Sequence, residues 1–317
     1  MERRQRSLSP AVAGGTVVDP ARYGVSFSLK QCRNFGLDAR ETLLWLITEA
    51  GFRRLRLMSY WNEHERSPGE YDFSSLDEQL DLAETYGCQV TLCLGARQPR
   101  WPENHWPDWA WQLPKKERSR ALLAYIEQVV TRCRIRGCIV SYQLENEALL
   151  KAFGERPEVD RRRLRQEYKL VKRLDPRRPV IMTTSTSWGI PVRRPVPDIV
   201  GFSYYRILYG KHGYTHALHF PLLDRLRAGL VRVLHRRPTF MHELQLEPWG
   251  PTAIWKMQVA EQDKSMGVAH IRANLRLARK TKLYPIDLWG GEWWYWRLKT
   301  VKDPSIWLAV EAALQRD

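Results

Sequence analysis

The chain has 317 residues, of which 44% are hydrophobic and 27% are charged, proportions that are ordinary for a globular protein. It contains no apolar run of the roughly 18 residues that a membrane-spanning helix requires. Residues 1–10 also lack the apolar stretch that follows the basic residues of a secretory signal. We therefore expect a cytoplasmic protein with no membrane partner.

The net charge of +16 comes from 51 lysines and arginines against 35 acidic residues. A nucleic-acid partner is one interpretation of this excess, and a solvated basic surface is the other. Several of the arginines lie at 161–165, where a predicted helix would spread them around its circumference. No nucleic-acid-binding motif accompanies them. We therefore favour the solvated surface and expect no nucleic acid as a partner.

The five cysteines are odd in number and irregularly spaced, which is typical of reduced core residues rather than of disulfides or a metal site. They are Cys32, Cys88, Cys93, Cys133 and Cys138. The chain also has no glycine-rich phosphate-binding loop and no histidines at metal-ligand spacing. The sequence thus predicts neither a metal nor a cofactor.

Short apolar strands alternate with amphipathic helices from residue 22 to the end, a pattern typical of parallel sheets built from βα units. Eight such units within one chain of this length favour a closed barrel. The sequence therefore predicts the α/β class and a single (β/α)8 TIM barrel over residues 21–317, preceded by an irregular N-terminal arm at 1–20. The predicted strands are 23–28, 53–59, 88–95, 138–146, 179–185, 198–204, 238–243 and 284–289.

Two glutamates stand at the ends of predicted strands. Glu147 follows the fourth strand directly after Asn146, and Glu243 ends the seventh. The active site of a TIM barrel lies at the C-terminal ends of its strands, so these carboxylates are expected to face one another. Two facing carboxylates are the machinery of glycoside hydrolysis, in which one protonates the leaving oxygen and the other acts as nucleophile or base.

The segments around these glutamates resemble a known group of enzymes. Gln143–Glu147 (QLENE) is similar to the acid/base segment of clan A glycoside hydrolases, and most similar to that of retaining β-galactosidases. Residues 241–245 (MHELQ) resemble the nucleophile strand of the clan, and residues 53–62 and 67–73 resemble its second strand and the following loop. The resemblance spans about 22–317 and implies a retaining enzyme that cleaves β-glycosidic bonds.

The resemblance also implies individual roles. Glu147 would be the general acid/base and Glu243 the nucleophile, so the first must hold its proton near neutral pH and the second must be charged. Four further residues would serve the sugar or the nucleophile: Asn146 at the sugar 2-hydroxyl, Arg56 beneath Glu243, Tyr205 as a donor to Glu243, and Trp289 as the sugar platform. The third strand departs from the clan pattern, because Arg97 stands near the place of a frequent histidine.

Fourteen tryptophans are many for this length, and indole faces stack well on sugar rings. Trp61 in the second-strand motif and Trp101 after the third strand are predicted sugar contacts, and Gln245 could reach a substrate hydroxyl. A hydrophobic clasp is the competing interpretation for Trp101, Trp106, Trp109 and Trp111. Trp293 or Trp294 could replace Trp289 as the platform.

Two other functions compete with a hydrolase: a non-catalytic glycan-binding barrel, and a basic nucleic-acid-binding protein. We expect the partner to be an oligosaccharide, polysaccharide or glycoside substrate. The sugar and the mode of attack stay open, since the QLENE segment favours exo action and the aromatic loop after the third strand favours endo action. The oligomeric state also stays open.

Overall fold

The computed structural model describes residues 17–150, 153–185 and 195–315. Eight parallel strands close into a barrel in the order β1-β10-β9-β6-β5-β4-β3-β2, and two further strands form a separate antiparallel hairpin. The barrel strands are β1 Tyr23–Ser26, β2 Arg54–Met58, β3 Gln89–Leu94, β4 Ile139–Leu144, β5 Val180–Thr184, β6 Ile199–Tyr204, β9 Thr239–Gln245 and β10 Ile286–Trp289; the hairpin strands are β7 Ile207–Gly210 and β8 Gly213–His216.

Helices surround the barrel and lie in the connections between its strands. A single 3-10 turn, Ile254–Lys256, adds to them. The α-helices of the described residues are α1 Leu29–Phe35, α2 Ala39–Thr48, α3 Trp61–His64, α4 Ser74–Thr85, α5 Asp108–Gln112, α6 Lys115–Cys133, α7 Arg161–Leu174, α8 Pro221–His235, α9 Val259–Met266, α10 Val268–Thr281, α11 Gly291–Lys299 and α12 Ser305–Leu314.

The helix ends follow local chemistry. The Ser28 side chain accepts a hydrogen bond from the Gln31 amide and begins α1, while Asp38 accepts one from the Glu41 amide and begins α2. Such caps satisfy amides that have no partner within the helix. Gly36 ends α1 at φ 68°, a left-handed conformation that glycine adopts without steric cost. These signals divide the chain into βα units.

The prediction of a single (β/α)8 barrel is confirmed, and each of the eight predicted strands overlaps a strand of the barrel. The seventh strand continues to Gln245, so Glu243 lies within the strand rather than at its end. The fourth ends at Leu144, and Glu147 therefore lies in the loop beyond it. The β7–β8 hairpin was not predicted.

Other expectations meet the structure in part. All five cysteines are free and buried. Of the predicted N-terminal arm, residues 1–16 lie outside the described part, and the Val18 amide donates to the Gly51 carbonyl. Among the described helices none is both long enough and apolar enough to cross a bilayer.

The barrel interior is partly polar, and this polarity prepares the site. Arg56 points from β2 into the barrel and is buried. Its Nε donates to Ser26 Oγ at 2.9 Å and its Nη1 donates to Gln143 Oε1 at 3.2 Å. In the neighbouring strands β6 and β9, Ser203 is paired with Glu243, directly after a register shift between Phe202 and Ser203. Residues from five different strands thus converge near one end of the barrel.

Candidate active site

Glu243 is buried and held by two donors. Arg56 Nη2 donates to its Oε1 at 2.5 Å, and the Tyr205 hydroxyl donates to its Oε2 at 2.9 Å. Both contacts favour the charged carboxylate, since one partner is a cation and both are hydrogen-bond donors. Each oxygen of the carboxylate therefore has a partner, which also orients the group.

Glu147 has a different environment. It lies in the loop after β4 with φ 45°, a left-handed conformation that is uncommon for a residue with a side chain. Its amide donates to Thr183 Oγ1 at 2.8 Å, and Ser203 Oγ donates to its Oε1 at 2.5 Å. The carboxyl group is half-buried, and no cation lies within ion-pair distance of it among the described residues.

These environments separate the pKa values of the two glutamates. Burial, reinforced by the negative charge of Glu243, raises the pKa of Glu147 to about 7. Burial also acts to raise the pKa of Glu243, but the charge of Arg56 and the two hydrogen bonds outweigh it and lower that pKa below its ordinary value. At neutral pH the site thus holds one carboxylate and one group able to carry a proton.

Asn146, immediately before Glu147, is held from both ends of its amide. Its Oδ1 accepts from Gln143 Nε2 at 3.1 Å, and its Nδ2 donates to Glu103 Oε2 at 3.3 Å. Glu103 is a third carboxyl group at the site and follows the third strand. Burial raises its pKa to about 8, with Arg97 acting against this rise and the charges of Glu243 and Glu147 adding to it. The Asn146 amide, which is predicted to contact the sugar 2-hydroxyl, is therefore held in a defined orientation.

Glu145 supports the loop that carries the site. Its carboxylate accepts from the backbone amides of Ala96 and Arg97, at 3.3 and 2.5 Å, and lies 3.8 Å from Arg163 Nη2. Gly95 makes room for this carboxylate, because a Cβ at that position would lie 2.6 Å from its carboxyl carbon. Glu145 thus ties the ends of β3 and β4 together.

Trp289 closes one side of the site at the end of β10, with only 6% of its surface exposed. The Arg100 guanidinium lies over its ring, 4.0 Å from the centroid, and that of Arg56 lies 5.4 Å away. Arg100 in turn forms ion pairs with Glu247 at 2.5 Å and with Glu292 at 2.7 Å. The Trp289 indole also donates to Glu247 at 2.8 Å. The predicted platform is therefore part of a buried network of charges.

Four aromatic side chains form a continuous row that begins beside Glu243, which we call the aromatic row: Tyr205, Trp249, Phe153 and Trp101. Successive ring centroids are 5.8, 5.6 and 5.9 Å apart, each pair meeting edge to face. Tyr205 contacts Glu243 at one end, and Trp101 is 55% exposed at the other. The row joins the loops after β3 and β4 to those after β6 and β9.

Two other predicted sugar contacts, Trp61 and Gln245, are occupied by packing or by backbone hydrogen bonds. Trp61 is fully buried, stacks on Tyr125 at 5.5 Å and meets Trp106 and Trp109 edge-on or tilted, which is the packing expected of a clasp. Gln245 is buried, and its Oε1 accepts from the amides of Arg206 and Ile207.

The alternative platforms also serve packing. Trp293 and Trp294 lie in α11 with no exposed surface, and their indoles donate to Gln262 and to the Leu246 carbonyl. Of the three candidate platforms, Trp289 is the one that adjoins Arg56 and Glu247.

Several site residues were missed from the sequence: Ser203, Glu103, Arg100, Glu292, Phe153 and Trp249. A sequence signal for Ser203 exists. It lies near the C-terminal end of a predicted strand, beside Tyr204 and Tyr205, and the active site of a TIM barrel lies at such strand ends. Glu103 and Arg100 lie in an irregular loop with φ of 67° and 92°, and only the folded backbone brings them to the site. No cluster able to hold a metal ion occurs among the described residues.

Comparison with known proteins adds to this geometry. The glycoside hydrolase family 42 model, described as Beta-galactosidase, matches residues 38–174, a stretch that includes Arg56 and Glu147 and ends before Glu243. No curated protein sequence matches the chain.

Solved structures with the same barrel include GH5_18 from Streptomyces cattleya in complex with GlcNAc, with a TM-score of 0.64 and 12% identity over 94% of this chain and 80% of that chain. An endo-β-1,4-xylanase of family 10 from Gloeophyllum trabeum gives a TM-score of 0.62 and 13% identity over 94% and 97%. The exo-β-1,4-mannosidase Op5Man5 from Opitutaceae bacterium strain TAV5 gives 0.59 and 16% over 85% and 51%.

At these identities the structural neighbours establish the fold, and the family match adds the relationship to glycosidases. The resemblance drawn from the motifs is thereby confirmed, and the expectation of an enzyme with it. The chain is a TIM-barrel glycoside hydrolase of the clan A type.

Proposed function

We propose that the protein is a retaining β-glycosidase in which Glu147 is the general acid/base and Glu243 the nucleophile. The observation that carries this assignment is the asymmetry of the two carboxyl groups. Arg56 and Tyr205 both donate to Glu243, whereas the Glu147 carboxyl accepts from Ser203 alone among the hydrogen bonds of the described residues.

In the first step Glu243 attacks the anomeric carbon while Glu147 gives its proton to the departing glycosidic oxygen. The bond to the aglycone breaks and an ester between the sugar and Glu243 forms. As Glu243 loses its charge to this ester, the negative charge that raises the pKa of Glu147 disappears. The pKa of Glu147 then falls, and this fall stabilises the carboxylate that Glu147 has become on releasing its proton.

In the second step the ionised Glu147 takes a proton from water, which attacks the same carbon from the face that the aglycone left. The ester breaks, Glu243 regains its charge, and the sugar is released with its original anomeric configuration. The proton stays on Glu147, whose pKa rises again beside the restored charge of Glu243. The asymmetry of the pair is thus renewed at each turnover.

Neutral sugars suit the site better than acidic ones. Five carboxyl groups lie around it, those of Glu103, Glu147, Glu243, Glu247 and Glu292, against the guanidinium groups of Arg56, Arg97 and Arg100. The excess of positive charge on the whole chain therefore does not extend to the site. At neutral pH Glu103 and the acid form of Glu147 are protonated, so the three other carboxylates balance the three guanidinium groups. A negatively charged sugar would therefore find no surplus of positive charge there.

The aromatic row supports action at a chain end. Phe153 touches Trp101 on one side and Trp249 on the other, so side chains from the loops after β3, β4 and β9 meet at the barrel mouth. An endo-acting enzyme needs a groove that is open at two ends, and a bridged mouth favours a pocket. We therefore place β-galactosides with small aglycones first among the substrates to test, in line with the family match.

A panel of aryl β-glycosides, assayed with the wild type and with Glu147→Gln and Glu243→Gln, tests the proposal. Each variant should lower kcat by orders of magnitude on the substrate that the wild type prefers, while the substrate still binds. Proton NMR of the first product should show retention of the anomeric configuration. Activity that survives both substitutions, or an inverted first product, would refute the assignment.

A further inference from the structure

Helix α8 (Pro221–His235) carries apolar side chains on the surface of the molecule. Five of them, which we call the α8 stripe, are between 43% and 78% exposed: Leu222, Leu226, Leu230, Val233 and Leu234. Their spacing of three to four residues places them on one side of the helix. Leu218 and Phe220, directly before the helix, are exposed as well, so the stripe continues beyond its N-terminus.

The barrel does not need this stripe for its own packing. The inner side of α8 is formed by Arg227, Ala228 and Val231, which are buried. Arg227 stacks on the Phe202 ring at 4.3 Å and donates to Thr184 Oγ1 at 3.0 Å. An ordinary surface helix has polar side chains opposite such an inner face. In α8 that outer surface is instead largely apolar, which marks an interaction surface.

Basic side chains flank the α8 stripe. Arg225 and Arg232 are exposed and fall together on the helix, between its buried side and the stripe, and the exposed Arg236 follows the end of the helix. Lys280 lies near the end of α10, and Lys282 follows that helix directly. Both line a shallow depression together with Leu222 and Arg225. Asp224, the acidic residue of α8, faces His219 at 3.6 Å and is not part of the exposed basic flank.

We propose that the α8 stripe and its basic flank bind the surface of an anionic lipid bilayer. A helix that combines an exposed apolar side with lysines and arginines beside it lies in the plane of a membrane interface, where the apolar side chains enter the boundary of the acyl region. The arginines and lysines then meet the negative headgroups. The charge of the flank complements such a surface.

A second copy of the chain fits this surface less well. In a two-fold symmetric dimer through α8, the same basic side chains would face one another across the interface. Each copy also carries a net charge of +16. The proposal concerns adsorption at a surface and needs no spanning helix. It is an alternative to the expectation, based on the absence of a long apolar run, that the protein has no membrane partner, and that expectation stays a prediction.

The test uses the full chain and two kinds of vesicle, one of phosphatidylcholine alone and one in which about a third of the lipid is phosphatidylserine. Flotation should recover the protein with the anionic vesicles and leave it unbound with the neutral ones. The double variant Leu226→Gln/Leu230→Gln should weaken binding about tenfold or more, because two exposed leucines no longer enter the lipid. Arg225→Gln/Arg232→Gln should weaken binding and reduce its salt dependence.

The matched control is Ile135→Gln/Leu308→Gln, which removes two exposed apolar side chains, 83% and 52% exposed, that lie outside α8. This control should bind anionic vesicles as the wild type does. Circular dichroism and the hydrolysis rate of an aryl glycoside in solution verify that each variant is folded. The proposal is overturned if the wild type does not float with anionic vesicles, if the control loses binding equally, or if light scattering shows a dimer that the α8 leucine variant dissociates.

Discussion

Arg56 Nη2 lies 2.5 Å from Glu243 Oε1, and both groups are buried within the barrel. The guanidinium also donates to Ser26 of β1 and Gln143 of β4, so two further strands determine its position in addition to its interaction with Glu243. A cation held in this way stabilises the charged carboxylate without having to move. The cation beside the proposed nucleophile therefore comes from the interior of the barrel, while Tyr205 adds a donor from the loop after β6.

Replacing Arg56 should change the acidic side of the pH profile. In Arg56→Gln the pKa of Glu243 loses its main lowering influence and rises, so Glu243 becomes protonated at a higher pH. The acidic limb of kcat/KM should therefore move to higher pH, and the maximum should fall by about 10²–10³, as for the loss of one preorganised electrostatic contact. Arg54→Gln is the control, because Arg54 lies on the same strand but pairs with Asp287 instead of Glu243. It should leave the acidic limb in place. An unchanged acidic limb in Arg56→Gln would contradict this role.

Ser203→Ala should change the basic side of the profile. The Ser203 hydroxyl donates to Glu147 and acts to lower its pKa, which burial and the charge of Glu243 raise to about 7. Without this donor the pKa of Glu147 rises further, so Glu147 keeps its proton to higher pH and the basic limb should move upward. Ser141→Ala removes a buried hydroxyl that bonds Thr91 and should leave the limb in place. A downward shift in Ser203→Ala would count against the assignment.

Glu103 is predicted to position Asn146 through its acceptor oxygen. Glu103→Gln keeps an acceptor, so kcat/KM at pH 7 should stay within about threefold of the wild type, while Glu103→Ala should lose about tenfold, mainly through KM. Above pH of about 8, ionised Glu103 helps Glu147 retain its proton. The activity of Glu103→Gln should then fall more steeply than that of the wild type. Equal damage from both substitutions at pH 7 would disprove the positioning role.

Phe153→Ala should open the aromatic row. This side chain links Trp101 to Trp249, and its removal would separate the two sides of the barrel mouth. Rates on oligosaccharides that are blocked at their non-reducing end should rise relative to rates on aryl glycosides. Phe153→Tyr retains the ring and should behave as the wild type. If the wild type already cleaves blocked chains as fast as unblocked ones, the row does not restrict access.

Arg100 should matter for stability as well as for the site. It pairs with Glu247 and Glu292, and burial raises the pKa of Glu247 even with Arg100 present. Arg100→Met leaves two buried carboxyl groups without their cation, so the free energy of unfolding should fall by about 3–5 kcal/mol in urea denaturation. Arg132→Met, which breaks the exposed pair with Asp77, should cost about 0–1 kcal/mol. Equal losses in the two variants would show that the buried network contributes little.

The fold could be read from the sequence because its signals are local. Alternating strands and helices and the caps at Ser28 and Asp38 each depend on a few neighbouring residues. The proposed carboxyl pair could be read because strand order determines which strand ends meet. The position of Glu243 within β9 rather than at its end reflects pairing with β6 and β10, which no local signal reveals.

The rest of the site depends on contacts between residues far apart in the chain. Arg100 meets Glu292 and Glu247, and Phe153 meets Trp249, only after the loops have folded over the barrel. Residue type was also a poor guide to tryptophan function. Trp61 has the same side chain as Trp101, yet one is fully buried in packing and the other is largely exposed.

The central claim is that Glu243 forms a covalent bond to the sugar while Glu147 handles the proton. The most direct test is peptide mass spectrometry after incubation with the 2-deoxy-2-fluoro form of the preferred aryl β-glycoside, in which the fluorine slows breakdown of the intermediate. We predict one added sugar on the peptide that contains Glu243, and none in Glu243→Gln. A label on a different residue, or the same label in Glu243→Gln, would contradict the account.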